Sequence, residues 1–161
     1  MNHFTLIFSI VMAAIASVTT ASAQFAPQST DPVDITGETL VFDDNIATWT
    51  GNVRALQGEA ILTSRKLVAT LTEAGDFQTI TAVGDVRYSN GKEIITGKSA
   101  VYDAGSRTIS VSEDVVMTQG DQVMTGGALV YWVDTGKIRF TAPSGKRIRG
   151  LFYTNQATPK S

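Results

Sequence analysis

A short pattern recurs four times along the chain: Ile35-Thr36-Gly37-Glu38-Thr39-Leu40-Val41-Phe42, Leu62-Thr63-Ser64-Arg65-Lys66-Leu67-Val68-Ala69, Ile95-Thr96-Gly97-Lys98-Ser99-Ala100-Val101-Tyr102 and Met124-Thr125-Gly126-Gly127-Ala128-Leu129-Val130-Tyr131. Successive starts lie 27, 33 and 29 residues apart. Between the copies a second element recurs as Thr50-Gly51-Asn52-Val53-Arg54, Val83-Gly84-Asp85-Val86-Arg87 and Ser112-Glu113-Asp114-Val115-Val116. Each unit is therefore an extended run, a turn and another extended run. One such unit has an apolar face and nothing to bury it against, so the units must stack.

From Val33 onward no stretch has helical periodicity, and the runs are rich in Thr, Val, Ile, Tyr and Phe, which favour strands. Seven turn signals separate them: Asp43-Asp44-Asn45, Leu56-Gln57-Gly58, Glu73-Ala74-Gly75-Asp76, Ser89-Asn90-Gly91, Asp103-Ala104-Gly105-Ser106, Gln119-Gly120-Asp121 and Asp134-Thr135-Gly136. Their Gly, Asn and Asp residues tolerate positive φ at low cost. Seven turns imply eight strand runs, and breaks within runs raise the count. Gly37, Gly97 and Gly126 are the places for such breaks, because Gly inside a β-branched run marks a bulge or corner. Val33 and Ile35 also share one parity while Leu40 and Phe42 share the other, so a bend near Gly37 would turn both sets toward one interior. The reading is an all-β stack of bent antiparallel hairpins, jelly-roll-like or an open barrel. Hairpin-like turns favour it over a right-handed β-helix.

Ahead of that domain, Phe4 to Val18 is almost entirely apolar and Ala21-Ser22-Ala23 follows. The run is shorter than the roughly 20 residues a bilayer needs and ends in a small-x-small cleavage pattern. Residues 1–23 are read as a cleaved secretory signal in preference to a retained anchor, although Met1-Asn2-His3 carries no Lys or Arg. Residues 24–32 are read as a flexible leader, 33–153 as the β-domain and 154–161 as a C-terminal tail. The expected location is an exported, aqueous compartment.

The chain has no cysteine, and its one histidine, His3, lies in the signal segment. Thiolate and imidazole chemistry, disulfides and His- or Cys-ligated metals are thereby removed from the mature chain, and no cofactor is expected. Only a carboxylate pair or a Ser-Lys arrangement could support hydrolysis. Asp43-Asp44 and Glu113-Asp114 are adjacent pairs, and neighbours on a strand are expected on opposite faces, which disfavours joint catalysis. No Gly-rich phosphate loop is present, so any directional work must be driven by partners.

All fifteen acidic residues lie between Asp31 and Asp134, after which Lys137, Arg139, Lys146, Arg147, Arg149 and Lys160 follow without an acid. This basic strip either protects a sheet edge from aggregation or contacts anionic groups or an acidic partner. Nucleic acid does not suit an exported chain with an acidic body. Val33, Ile35, Leu62, Ile95 and Met124 hold equivalent places in successive units and should form a ladder on the inner face, with Trp49, Val53, Val86, Tyr88, Met117 and Phe140 as further inner-face candidates. Tyr131 and Trp132 suit a groove mouth, offering apolar area and one polar tip. Residues of these types serve equally as ordinary core or as the lining of an apolar groove.

The secretory leader, the Ile-Thr-Gly and Thr-Gly-Asn-Val elements, the runs Leu40-Val41-Phe42-Asp43 and Ala100-Val101-Tyr102-Asp103, and the late Gly145-Lys146-Arg147-Ile148 together resemble the LptA/OstA family, periplasmic bridge proteins of lipopolysaccharide export in Gram-negative bacteria. The similarity spans roughly Val33 to Arg149. Glu113 stands where the other units have Gly51 and Gly84, and few residues follow Phe140. The resemblance implies a twisted β-jelly roll, open at both ends, whose apolar groove takes the acyl chains of lipid A. It implies no enzymatic activity. It also implies a periplasmic location, a head-to-tail homo-oligomer, and contacts through edge strands to the inner-membrane and outer-membrane transport components. On that reading the inner-face residues above line the groove, and Lys137, Arg139, Lys146, Arg147 and Arg149 meet lipid phosphates or the next subunit. The edges would be Val33 to Phe42 and Lys137 to Tyr153. The inner-membrane partner of similar fold keeps a membrane helix and the translocon is far longer, so the bridge is favoured. The alternative classes are a structural β-repeat protein with a closed interior and, more remotely, a carboxylate-based polysaccharide enzyme.

Overall fold

The computed structural model describes residues 25–26 and 29–153. The expected signal segment and the tail 154–161 lie outside them. Ten strands are present: β1 (Asp34–Thr36), β2 (Thr39–Asp43), β3 (Ile46–Gln57), β4 (Ala60–Leu71), β5 (Phe77–Ser89), β6 (Glu93–Asp103), β7 (Thr108–Gln119), β8 (Gln122–Trp132), β9 (Ile138–Thr141) and β10 (Arg149–Leu151). Consecutive long strands β3 to β8 pair antiparallel in one meander, with β1 and β2 both on the free side of β3 and β9 and β10 both on the free side of β8. All seven turn signals fall at the reversals from one strand to the next, and eight runs become ten strands because the first and last are each interrupted.

Every long strand bends at one level. Between matched pairs, one strand carries one residue more than its neighbour: Gly51 and Asn52 stand against Arg65, Gly84 and Asp85 against Lys98, and Glu113 and Asp114 against Gly127, while Gly84 to Val86 stand against Ser64 and Arg65, and Glu113 to Val115 against Gly97 and Lys98. All six bulged residues have positive φ. Stacked bulges of this kind bend and twist a sheet, so the meander folds along this line into two half-sheets whose inner faces oppose. The ring of Tyr88 in one half lies 6.1 Å from that of Tyr131 in the other.

The break points differ from the sequence expectation in detail. Gly97 and Gly126 sit at the bend with negative φ, opposite Val86 and Val115. They are needed for close approach: a Cβ on Gly97 would come within 2.5 Å of Val111 Cγ1, and one on Gly126 within 2.8 Å of Phe140 Cδ1. The left-handed backbone lies instead in the Gly-Asn, Gly-Asp and Glu-Asp elements. Glu113 keeps it at φ 64 without glycine. As a result Glu113 and Asp114 do not diverge as strand neighbours would; both reach Lys98 Nζ, at 3.8 and 3.0 Å. With Arg65 to Asp85 at 3.4 Å, they form a solvated charge ridge outside the bend. The Asp114 hydrogen bond raises the Lys98 pKa, and Lys98 lowers that of Asp114.

Candidate functional site

The bend changes which residues face inward. On β4, Leu62 and Ser64 face in before it and Leu67 and Ala69 after it, while Arg65 and Lys66 both face out. The same switch occurs on β6 between Gly97 and Ala100. Three rows of matched residues then cross the whole sheet on the inner face. The first runs Ile35, Ala55, Leu62, Tyr88, Ile95, Met117, Met124, Gly150. The second, beyond the bend, runs Leu40, Trp49, Leu67, Ala82, Ala100, Val111, Leu129, Phe140. The third runs Phe42, Ala47, Ala69, Ile80, Tyr102, Ile109, Tyr131, Ile138. The first row thus unites Ile35, Leu62, Ile95 and Met124, the four equivalent repeat positions, and adds Tyr88 and Met117. Val33 precedes β1 and packs half-buried against the core. Val53 and Val86 are buried at the bend, and Trp49 and Phe140 are partly buried on the second row.

The interior is apolar along these rows and polar at one end. There Gln57, Asn90 and Glu93 are buried, and Asn90 Nδ2 donates to the Tyr131 hydroxyl at 3.1 Å. Gln119 Nε2 donates to Glu93 Oε1 at 3.0 Å, whereas buried Glu93 Oε2 has no hydrogen-bond partner among the described residues. Asn90, Glu93 and Tyr131 line a cavity of about 530 Å³ together with Asp31, Glu59 and Lys92. Burial, then Tyr131 and Glu93, drives the Tyr88 pKa far above its usual value; burial and Glu93 raise that of Tyr131. Both phenols are therefore neutral, Tyr88 donating to the Phe25 carbonyl and Tyr131 accepting from Asn90.

The apolar part holds an unexpected occupant. Phe25 and Ala26, in the segment read as leader, are each 2 % exposed and belong to the core. A cleft lined by Phe25, Leu62, Ile80, Tyr88, Tyr102 and Ile109 retains about 10 Å³ of void, less than a comfortable water site.

The basic residues split into two places. Lys137 and Arg139 lie over the Trp132 ring, at 5.2 and 5.4 Å from its centroid. Lys146 and Arg147 line a shallow cavity beside Asp114, and Arg149 stands on β10 opposite Thr125. Sequence reasoning missed most of the second and third rows. Their signal was present as alternation in Leu67-x-Ala69, Ile80-x-Ala82, Ala100-x-Tyr102, Ile109-x-Val111 and Leu129-x-Tyr131, but the phase change at the bend hid which parity faced in.

Both edges of the sheet carry exposed apolar side chains: Leu40, Val41, Phe42 and Ile46 on one, Ile148, Leu151, Phe152 and Tyr153 on the other.

Residues 34–137, well over half the chain, match the family model described as LptA/(LptD N-terminal domain) LPS transport protein. Among solved structures, the chain is similar to LptH from Pseudomonas aeruginosa, described as the LptA homologous periplasmic component of the conserved lipopolysaccharide transport device. The TM-score is 0.67 at 18% identity, covering 77% of this chain and 96% of that one. No curated protein sequence matches.

Proposed function

The chain belongs to the LptA/LptD N-terminal-domain family of lipopolysaccharide transport proteins, and on that premise we propose that it is a periplasmic bridge that carries lipopolysaccharide from the inner to the outer membrane. The observation that carries the reading is the continuity of the three inner rows from one open edge to the other. Such a face can hold acyl chains along its length, and each methylene taken from water contributes about 0.8 kcal/mol. Leu40 and Phe42 end the second and third rows at one edge, and Phe140 and Ile138 end them at the other. Pairing unlike edges of two copies continues both rows and propagates into a line, because a heterologous contact does not close on itself. That geometry supports a reading in which copies join head to tail and inner- and outer-membrane partners dock on the same edges. Lys146, Arg147 and Arg149, beside the C-terminal edge, are the candidates for lipid phosphates or for acidic groups of a partner.

The test is photocrosslinking to lipopolysaccharide in the exported protein from Ile35 and Ile95 on the first row, with exposed Lys92 as control. Labelling at both row positions and not at Lys92 is expected; equal labelling at all three, or none, rejects the groove. A second reading, a structural β-repeat protein whose edges pair and whose interior stays closed, is favoured by the nearly filled cleft around Phe25. It predicts edge-dependent oligomers with no lipid crosslink at either row position.

A further inference from the structure

We propose that Phe25 and Ala26 form an internal plug, a removable occupant of the apolar interior that an acyl chain displaces on binding. The inference rests on the lipid-carrying reading and concerns the regulation of that site. Phe25 lies against Leu62 and Tyr88 of the first row and Ile80, Tyr102 and Ile109 of the third, so it bridges the two half-sheets. An acyl chain lying along these rows would need the same volume.

The way the segment is held distinguishes it from ordinary core. Core side chains here come from strands tied by backbone ladders on both sides. Among the described residues, Phe25 and Ala26 are held through side chains instead: both N–H groups donate to Gln57 Oε1, at 2.8 and 3.2 Å, and the Phe25 carbonyl accepts from the Tyr88 hydroxyl at 3.1 Å. Gln57 Nε2 in turn donates to the Asp31 carbonyl at 3.0 Å, fastening the far side of the segment. An amide and a phenol inside an apolar chamber are costly unless paired. The segment pairs them while no ligand is bound. Gly58, next to Gln57, and Tyr131, whose ring lies 6.1 Å from that of Tyr88, line the large cavity around Asn90 and Glu93, from which water can replace the lost bonds on release. The described part of this segment is held by three hydrogen bonds and one ring, and with the expected signal removed it is terminal, which puts it among the first parts of the fold to open. A plug lowers apparent affinity by the fraction of molecules that are open. It also keeps water out of the chamber between passengers.

The absence of cysteine makes the test clean. In the exported, purified protein, a single Phe25→Cys is expected to react slowly with a maleimide. On saturation with purified lipopolysaccharide it should react as fast as Lys92→Cys, while lipopolysaccharide stripped of its acyl chains should leave it protected. Phe25→Ala should bind lipopolysaccharide about tenfold more tightly if the open form is roughly a tenth of the population. Tyr88→Phe, which keeps the ring and removes one latch bond, should shift affinity the same way by a smaller factor, and it serves if Phe25→Ala does not fold. Lipopolysaccharide that binds while the thiol of the Phe25→Cys variant stays protected, or variants that bind no tighter than the parent, would overturn the plug and leave the bridge reading standing. Failure of parent and variants alike to bind, with no crosslink from Ile35 or Ile95, would overturn the bridge reading and the plug with it.

Discussion

Leu67 and Leu40 occupy the same inner row and present the same side chain, yet Leu67 is 0 % exposed in the middle of the sheet and Leu40 is 54 % exposed at its edge. Ile80 and Phe42 repeat the contrast on the next row, at 2 % and 63 %. Chemistry and facing direction are shared; what differs is the number of neighbours that the chain itself supplies. Central strands have a strand on each side and an opposing half-sheet above. β2 has a single strand beside it, and its apolar side chains are left for something outside the chain to cover. Monomeric proteins rarely leave such rows open without use. The β2 edge therefore reads as unfinished interior, and the centre as the same interior completed.

Breaking the two regions in parallel separates these roles. Leu67→Ala should lower folding stability by about 2–5 kcal/mol, because it opens a cavity among fully buried neighbours. Leu40→Ala should change monomer stability by no more than about 0.5 kcal/mol. Urea denaturation at a protein concentration low enough to hold the monomer measures both, and equal losses would contradict the comparison.

A pH titration probes the centre through Tyr88. Its folded pKa lies above that of the unfolded chain, so the contribution is fully present below the unfolded tyrosine pKa of about 10 and is lost as pH rises above it. Stability should fall by up to about 1.4 kcal/mol per pH unit there for this one group, with Tyr131 adding in the same direction. Tyr88→Phe should flatten that alkaline limb. An unchanged slope in the variant would mean that the phenol is not held neutral by the fold.

At the edge the expected effect is on assembly. Trp132 N–H donates to the Lys137 carbonyl at 2.9 Å, which turns residue 137 toward β8. In an extended strand the next residue turns the other way, so the Ile138 N–H faces the open edge. Ile138→Pro removes that donor and should weaken self-association roughly tenfold while the β-signal in circular dichroism persists. Arg139→Pro, whose N–H faces β8, should damage β9 itself. Sedimentation unchanged by Ile138→Pro in a folded protein would exclude the C-terminal edge from assembly. The smallest effect belongs to the charge ridge, where Lys98→Ala should leave the urea midpoint unchanged within error because the pair is solvated. A clear loss would give the outer bend a structural role that its exposure argues against.

Much of this architecture was legible in the chain. Gly, Asn and Asp at the turns and β-branched residues between them marked all seven reversals, since backbone preference at a turn is local. The four equivalent positions Ile35, Leu62, Ile95 and Met124 do share one row, because a repeat places like residues in like registers. The second and third rows were harder. On β4, β6 and β8 the inward parity changes at the bend, and a period-two pattern read across that change points half of each strand the wrong way. The bulges that cause it lie in Thr-Gly-Asn-Val and its counterparts, and Glu113-Asp114 carries no glycine to betray the same backbone. Phe25 was invisible for another reason. A lone aromatic in a Pro- and Gln-containing stretch has no period, and its burial depends on a chamber built by residues 37 to 84 positions later.

The sequence by itself determined that this chain is all-β, built of stacked repeats, and without the side chains for thiol or imidazole chemistry in its domain, because composition and local backbone preference suffice for those conclusions. Only the tertiary structure decided that the sheet folds on one line of bulges, that three inner rows run to two opposite edges with Leu40 and Phe42 left exposed at one of them, and that Phe25 fills the space between the halves. Those outcomes depend on which residues meet across the bend, and contact between residues distant in the chain is set by packing rather than by any pattern within a single run.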